Sequence, residues 1–244
     1  MNFLVRIFFK FIVSLNNEKA ILTILELTKY LDNIGKFKDS ILYYNIYLNK
    51  FPDDVQILYR RGLAFYSTLE YEKALYDLTR CADLEMKKHN SIITKEHIYT
   101  TRGLIYMKMN LFDKGFQDFD LAYNNSNSMK ALLHRGICSF ELKNFDSALT
   151  DFNKTIDSGY NSELSFSSRA SIYFMKKDFK SALQDINQSI SFEKENPDSY
   201  YQRGLIYFYE GSFEKALIDF QKTLKLEKNH KLAEKYKKLS LENL

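Results

Sequence analysis

One arrangement of apolar, small and polar positions recurs along this chain. The segments RRGLAFYSTLEYEKALYDL, TRGLIYMKMNLFDKGFQDF, HRGICSFELKNFDSALTDF, SRASIYFMKKDFKSALQDI and QRGLIYFYEGSFEKALIDF align without gaps, and a weaker copy, LTKYLDNIGKFKDSILYY, precedes them. The small residue in the first half of each copy is Thr28, Gly62, Gly103, Gly136, Ala170 and Gly204, at intervals of 34, 41, 33, 34 and 34 residues. Repetition at this period predicts stacked units, each unable to bury its own apolar face alone. With 2 prolines and 8 glycines in 244 residues, breakers are too few for a sandwich of strands, and helices joined by short turns are expected.

Counting the small slot as position 8, three further slots repeat. Position 20 is Ser40, Ala74, Gly115, Ala148, Ala182 and Ala216, and position 17 is always aromatic: Phe37, Tyr71, Phe112, Phe145, Phe179 and Phe213. Position 24 is Tyr44, Leu78, Phe119, Phe152, Ile186 and Phe220. Small residues at 8 and 20 let two helices cross closely, because a larger side chain would hold their backbones apart. The aromatic at 17 starts a second helix and fills the turn, and position 24, one turn beyond 20, packs between the pair. Position 7 is Arg61, Arg102, Arg135, Arg169 and Arg203, and position 23 is Asp77, Asp118, Asp151, Asp185 and Asp219. Charges recurring in step predict ion pairs, within one copy or across to the next. The other reading is a row of arginines awaiting an acidic ligand.

These slots resemble the tetratricopeptide repeat, a helix–turn–helix unit of 34 residues, from about Ile21 to His230 in six copies. The resemblance implies an all-α fold, a right-handed α-solenoid of stacked hairpins closed by a C-terminal capping helix. Its boundaries are an N-terminal amphipathic helix over 1–20, then repeats over 21–54, 55–94 (with an insert), 95–128, 129–161, 162–196 and 197–230, and a cap over 231–244. The seven residues beyond the period are expected within Met86–Glu96, as a longer helix or a loop, and as a binding feature or a tolerated insertion. The family's large residue at position 4 is here Ile24, Leu58, Tyr99, Leu132, Phe166 and Tyr200, and its helix-ending proline survives only as Pro52. Pro197 falls where a first helix starts, a position at which the missing N–H costs little. In the last segment, Leu232, Tyr236 and Leu239 are expected to cover the end of the final repeat.

In this family the first helices line the concave face, and positions 2, 5, 9 and 12 point into it. That implies a partner-binding face of Tyr59 and Tyr201 at position 5 with Leu133, of Leu63, Leu104, Ile137 and Leu205 at position 9, and of Tyr66, Met107, Phe140, Phe174 and Phe208 at position 12. Two readings stay open. These side chains pack between neighbouring first helices, or enough of them stays uncovered to hold an apolar strand or helix of another protein. Family members that clamp a chaperone's C-terminal carboxylate use Lys and Asn at positions 5 and 9, Asn at 6 of the next repeat, and Lys and Arg at 2 and 6 of a third. Leu25, Lys29, Arg60, His97 and Thr101 stand at those slots here, which argues against chaperone tails as partners.

Charge adds one local feature. Of the net +4, a charge of +5 sits between Gln221 and Lys238, leaving −1 for the rest, so no basic stripe runs along the body and nucleic acid is not the expected partner. Cys81 and Cys138 stand far apart and read as small, reduced core residues, in keeping with a cytoplasmic protein. Residues 3–15, FLVRIFFKFIVSL, read as an amphipathic helix. It caps the first repeat, lies on a membrane or serves as an organelle address, or folds into the groove; its longest uninterrupted apolar run is too short for a secretory signal. Among His89, His97, His134 and His230 there is no metal-ligand spacing, each is expected on the surface or in the groove, and no nucleophile or phosphate-loop motif occurs. No cofactor, metal or catalytic residue is expected. The sequence thus predicts a non-enzymatic interaction scaffold or adaptor. Its alternatives are an RNA-binding helical repeat, for which strong salt dependence would speak, and an assembly factor tethered to a membrane through residues 3–15.

Overall fold

A computed structural model describes residues 18–85, 93–160 and 162–244. Among them are thirteen α-helices and no strand. The chain divides into two compact units, one ending at Ser128 and the other spanning Met129–Leu244. The first holds three hairpins: α1 (Glu18–Asn33) with α2 (Phe37–Leu48), α3 (Val55–Ser67) with α4 (Tyr71–Glu85), and α5 (Lys95–Lys108) with α6 (Phe112–Ser126). The second holds α7 (Met129–Glu141) with α8 (Phe145–Asp157), α9 (Ser162–Met175) with α10 (Phe179–Phe192), α11 (Pro197–Glu210) with α12 (Phe213–Leu226), and a last helix α13 (Lys231–Glu242). The amphipathic segment expected over 1–20 lies outside the described residues up to residue 17, and so does the expected insert over 86–92. Glu18, Lys19 and Ala20 already belong to α1, and Lys95 and Glu96 to α5.

Starts and stops follow local chemistry. Asp54 and Thr94 accept from the backbone N–H groups of Ile57 and His97 and so cap α3 and α5, and Asn196 does the same for α11, with Pro197 in its first turn. Every first helix ends alike: position 15, which is Gly35, Leu69, Asn110, Lys143, Lys177 and Gly211, adopts a positive φ between 58° and 89°. Its N–H bonds back to the carbonyl of position 12, and the next N–H to the carbonyl of position 11, as in Lys177 to Phe174 (2.9 Å) and Asp178 to Tyr173 (2.9 Å). That is a Schellman stop, which ties off carbonyls the helix leaves open.

The predicted slots make the hairpins. All residues at positions 8, 20 and 24 are buried. A Cβ added to Gly103, Gly136 or Gly204 would come within 2.9, 2.8 or 2.7 Å of the ring of Phe119, Phe152 or Phe220. Where position 24 holds the slimmer Ile186, position 8 is Ala170, and both are buried in one cluster. In these four hairpins the two slots are matched, small against large, whereas in the first Thr28 and Tyr44 are both buried.

Within each unit a second stripe joins a hairpin to the one before it, and its residue types vary too much to stand out in the sequence. Positions 3 and 10 are buried in the first helices from α3 on, as Ile57 and Ala64, Ile98 and Ile105, Ala131 and Cys138, Ser165 and Ile172, Ser199 and Ile206. Position 3 meets position 27 of the preceding second helix: the hydroxyls of Ser165 and Thr155 lie 2.9 Å apart, those of Ser199 and Ser189 3.4 Å. The last helix follows the same register. Ala233 and Ser240 are buried, Ala233 against Ala216 and Phe220. This corrects the expected capping face: Leu232 is 53% exposed, because close contact with α12 needs the small Ala233 and rotates Leu232 away. Tyr236 does pack inward, and Leu239 is half-buried. In α1 the position-10 residue is Tyr30, 58% exposed. Among the described residues no helix is long and apolar enough to cross a membrane.

Candidate functional site

The first helices are held in place by the charge ladder. In each of five hairpins the arginine at position 7 grips the aspartate at position 23 with two N–H groups: Arg61 Nε and Nη2 donate to Asp77 at 2.7 Å each, Arg169 to Asp185 at 2.7 and 2.8 Å, Arg203 to Asp219 at 2.8 Å each. Arg102 with Asp118 and Arg135 with Asp151 repeat the geometry. The remaining terminal nitrogen reaches position 25 of the preceding hairpin: Arg61 Nη1 donates to Asn45 (2.8 Å), Arg102 to Thr79 (3.3 Å), Arg169 to Asn153 (2.6 Å), Arg203 to Asn187 (2.7 Å). The ion pair therefore lies within a repeat, and the same guanidinium bonds across to its neighbour. The aspartates are buried and the arginines nearly so, so the ladder is already paired, and the reading of arginines awaiting an acidic ligand gives way.

The residues expected on the partner face occupy three different environments. At position 12, Tyr66, Phe140, Phe174 and Phe208 are half-buried, each leaning on the position-17 ring across the turn: Tyr66–Tyr71 at 6.0 Å, Phe140–Phe145 at 5.8 Å, Phe174–Phe179 at 6.1 Å, Phe208–Phe213 at 5.4 Å between centroids. One side of each ring is fixed by the turn, and part of it remains open. Met107, Leu104, Ile137 and Leu205 are likewise half-buried, and Leu63 is exposed. Leu133 is different. It is 1% exposed, packed with Ala148, Phe152 and Ile172, and cannot touch a partner unless the core opens. The short position-5 side chain is submerged, whereas Tyr59 at the same slot keeps its ring half-open and bonds Thr101 through its hydroxyl (2.9 Å). Tyr201 is held from another side, its ring 4.6 Å from that of His230 and 6.4 Å from that of Tyr236.

At the C-terminal end the structure adds residues that repeat registers do not flag. Tyr209 is exposed, sets its edge against Phe174 (5.5 Å) and shares a hydrogen bond with Tyr236 (3.2 Å). That bond, with burial, pushes the Tyr236 hydroxyl up to about 12. Neighbouring Met175 is also exposed. Two aromatics adjacent in sequence, Phe208 and Tyr209, are the only trace of this patch in the chain. The lysine-rich segment is mostly solvated, although Lys222 stands over the ring of Tyr200 (5.5 Å) and Lys235 over Tyr236 (5.9 Å).

Reactive groups are muted. Burial pushes the thiols of Cys81 and Cys138 up to about 12, leaving no thiolate at neutral pH. His134 turns partly inward instead of lying on the surface, and burial, with Lys130 nearby, lowers it to about 4. His230 caps α13 by accepting from the Ala233 N–H (3.0 Å).

Models of the tetratricopeptide repeat match residues 25–82 and 197–230. No curated protein matches. Among solved structures, a tetratricopeptide repeat protein from Parabacteroides merdae is 23% identical, with 92% of this chain and 86% of that one covered and a TM-score of 0.65. PilF of Pseudomonas aeruginosa is 12% identical over 92% of this chain and 98% of its own, TM-score 0.72. YrrB, described as a repeat protein of this kind with an unusual peptide-binding site, is 17% identical over 80% and 97%, TM-score 0.60. Models of the tetratricopeptide repeat thus match both ends of the described chain, and the thirteen described helices, with one hairpin design and the Arg–Asp ladder, fit an array of such repeats.

Proposed function

We propose that this protein is a scaffold without chemistry of its own. It holds an apolar strand or amphipathic helix of another protein along the first-helix face of its C-terminal unit. The observation that carries this reading is the recurrence of a half-open aromatic ring at the end of successive first helices, Phe140, Phe174 and Phe208, with Met175 and Tyr209 exposed beside them. Rings anchored by a neighbour on one side lose little freedom when a partner covers the other, and recurring exposed apolar surface is seldom left without a use. The peptide-binding site ascribed to YrrB, a protein of similar fold, is in keeping with such a role. Tetratricopeptide repeats in general serve as protein-interaction scaffolds.

Replacing Phe140 and Phe174 together by Ala tests it. A polypeptide captured by the wild-type chain should bind the double variant at least about tenfold more weakly, roughly 1.4 kcal/mol, while circular dichroism shows the helices intact. Undiminished binding by a folded double variant would remove this face from the function.

A further inference from the structure

Glu85, the last described residue of α4, has its carboxylate inside the protein. The residue is 6% exposed, and its Oε1 has no hydrogen-bond partner. A buried carboxylate oxygen left without a donor is costly, and native structures seldom keep one without a reason. This one lines a pocket of about 480 Å³ in the N-terminal unit, together with Thr94, Lys95, Glu96 and His97 at the start of α5 and Asn125 and Ser126 at the end of α6.

The surrounding polar groups offer lone pairs. Asn125 Nδ2 donates to the Leu121 carbonyl (2.6 Å), which leaves its side-chain oxygen as the acceptor. Ser126 gives its proton to the Ala122 carbonyl (3.1 Å), leaving the hydroxyl oxygen able to accept. Helix α6 ends here, and its last carbonyls carry partial negative charge. The one helix that starts here, α5, carries Glu96 in its first turn and is capped by Thr94. Glu85 and Glu96 outnumber the single ammonium of Lys95. Acceptors, carboxylates and a helix C-terminus together call for a cationic donor. Its size is set by the pocket, which has room for a long side chain. Among the described residues no group of three or more His, Cys, Asp or Glu could hold a metal ion.

The geometry points to this pocket as the seat of an arginine or lysine side chain from a bound polypeptide, its guanidinium or ammonium group meeting Glu85. The site lies in a different unit from the apolar face proposed above and does not depend on it.

The test uses the whole chain, labelled with ¹⁵N, titrated with Nα-acetyl-arginine amide, Nα-acetyl-lysine amide, the uncharged Nα-acetyl-citrulline amide and calcium chloride. The two cationic amides should produce saturable shifts at the amides of Asn125 and Ser126, and citrulline should produce none. Glu85→Gln, with its helix signal intact, should weaken the cationic amides at least about tenfold. Phe140→Ala/Phe174→Ala should leave them unchanged, so the two proposals fail separately. Should Glu85→Gln not fold, Asn125→Lys places an ammonium at the mouth and should abolish the shifts. Each of four results would overturn the assignment: no saturable shift in the wild type, citrulline binding as tightly, a folded Glu85→Gln or Asn125→Lys binding as before, or calcium displacing the amides at the same resonances.

Discussion

Arg61, Arg102, Arg169 and Arg203 each bind two partners with one planar group: two parallel bonds to an aspartate and a third to a polar side chain on the preceding hairpin. Lysine could not do this, because a point charge lacks the fork. Arg135→Ala would leave the carboxylate of Asp151, itself 2% exposed, buried without its counter-ion. It should lower stability by about 2–3 kcal/mol in urea unfolding, less than for a fully buried pair because Arg135 keeps some contact with water. Replacing Asp151 by Leu in the same chain should return part of the loss. The recurrence of Arg at 7 and Asp at 23 made the pairing legible. That the same guanidinium also crosses to the preceding hairpin was not, because position 25 is Asn in some copies and Thr in another. For the expected partner face the register names Phe140, Phe174 and Leu133 alike, and only three dimensions show that a second ring occupies one side of Phe140 and Phe174 and that Leu133 is submerged.

Among the helices, the turn after each first helix separates what sequence reveals from what it conceals. Gly35 and Gly211 announce a left-handed stop; Leu69, Lys143 and Lys177 do not, yet they adopt it. Two backbone bonds, and in most repeats a ring pair spanning the turn, outweigh the residue's own preference, which costs an L-residue roughly 1–2 kcal/mol. Leu69→Gly should therefore raise stability by about 0.5–1 kcal/mol, the gain being trimmed by the greater freedom of glycine in the unfolded chain. An unchanged or lower urea midpoint would mean that Leu69 contributes packing not evident from its exposed position. The buried stripe at positions 3 and 10 was concealed for another reason. A close helix crossing accepts Ile, Ala, Ser or Cys according to the depth of its partner, so no single residue type marks it. This is why the cap was expected to turn Leu232 inward, when Ala233 does so.

For the molecule as a whole, stability in such an array is a sum of hairpin terms and neighbour terms, and the last neighbour term belongs to α13. A chain stopped at Asn229 would uncover Ala216, Phe220, Tyr201 and Phe208. We expect the C-terminal unit of that chain to lose about 2–4 kcal/mol, by the apolar area returned to water, and to bind a hydrophobic dye. An unaltered unfolding curve would show that the helix is dispensable.

The reciprocity between positions 8 and 24 also bears on how such arrays can be recombined. Gly136 fits Phe152, and Ala170 fits Ile186; exchanging α8 with α10 alone would thrust a phenyl ring into a methyl group at one joint and open a void at the other. Crossovers placed between hairpins keep each matched pair together, whereas a crossover inside one breaks it. Shuffled libraries or gene fusions derived from this chain should inherit folded members almost entirely from the former kind of cut.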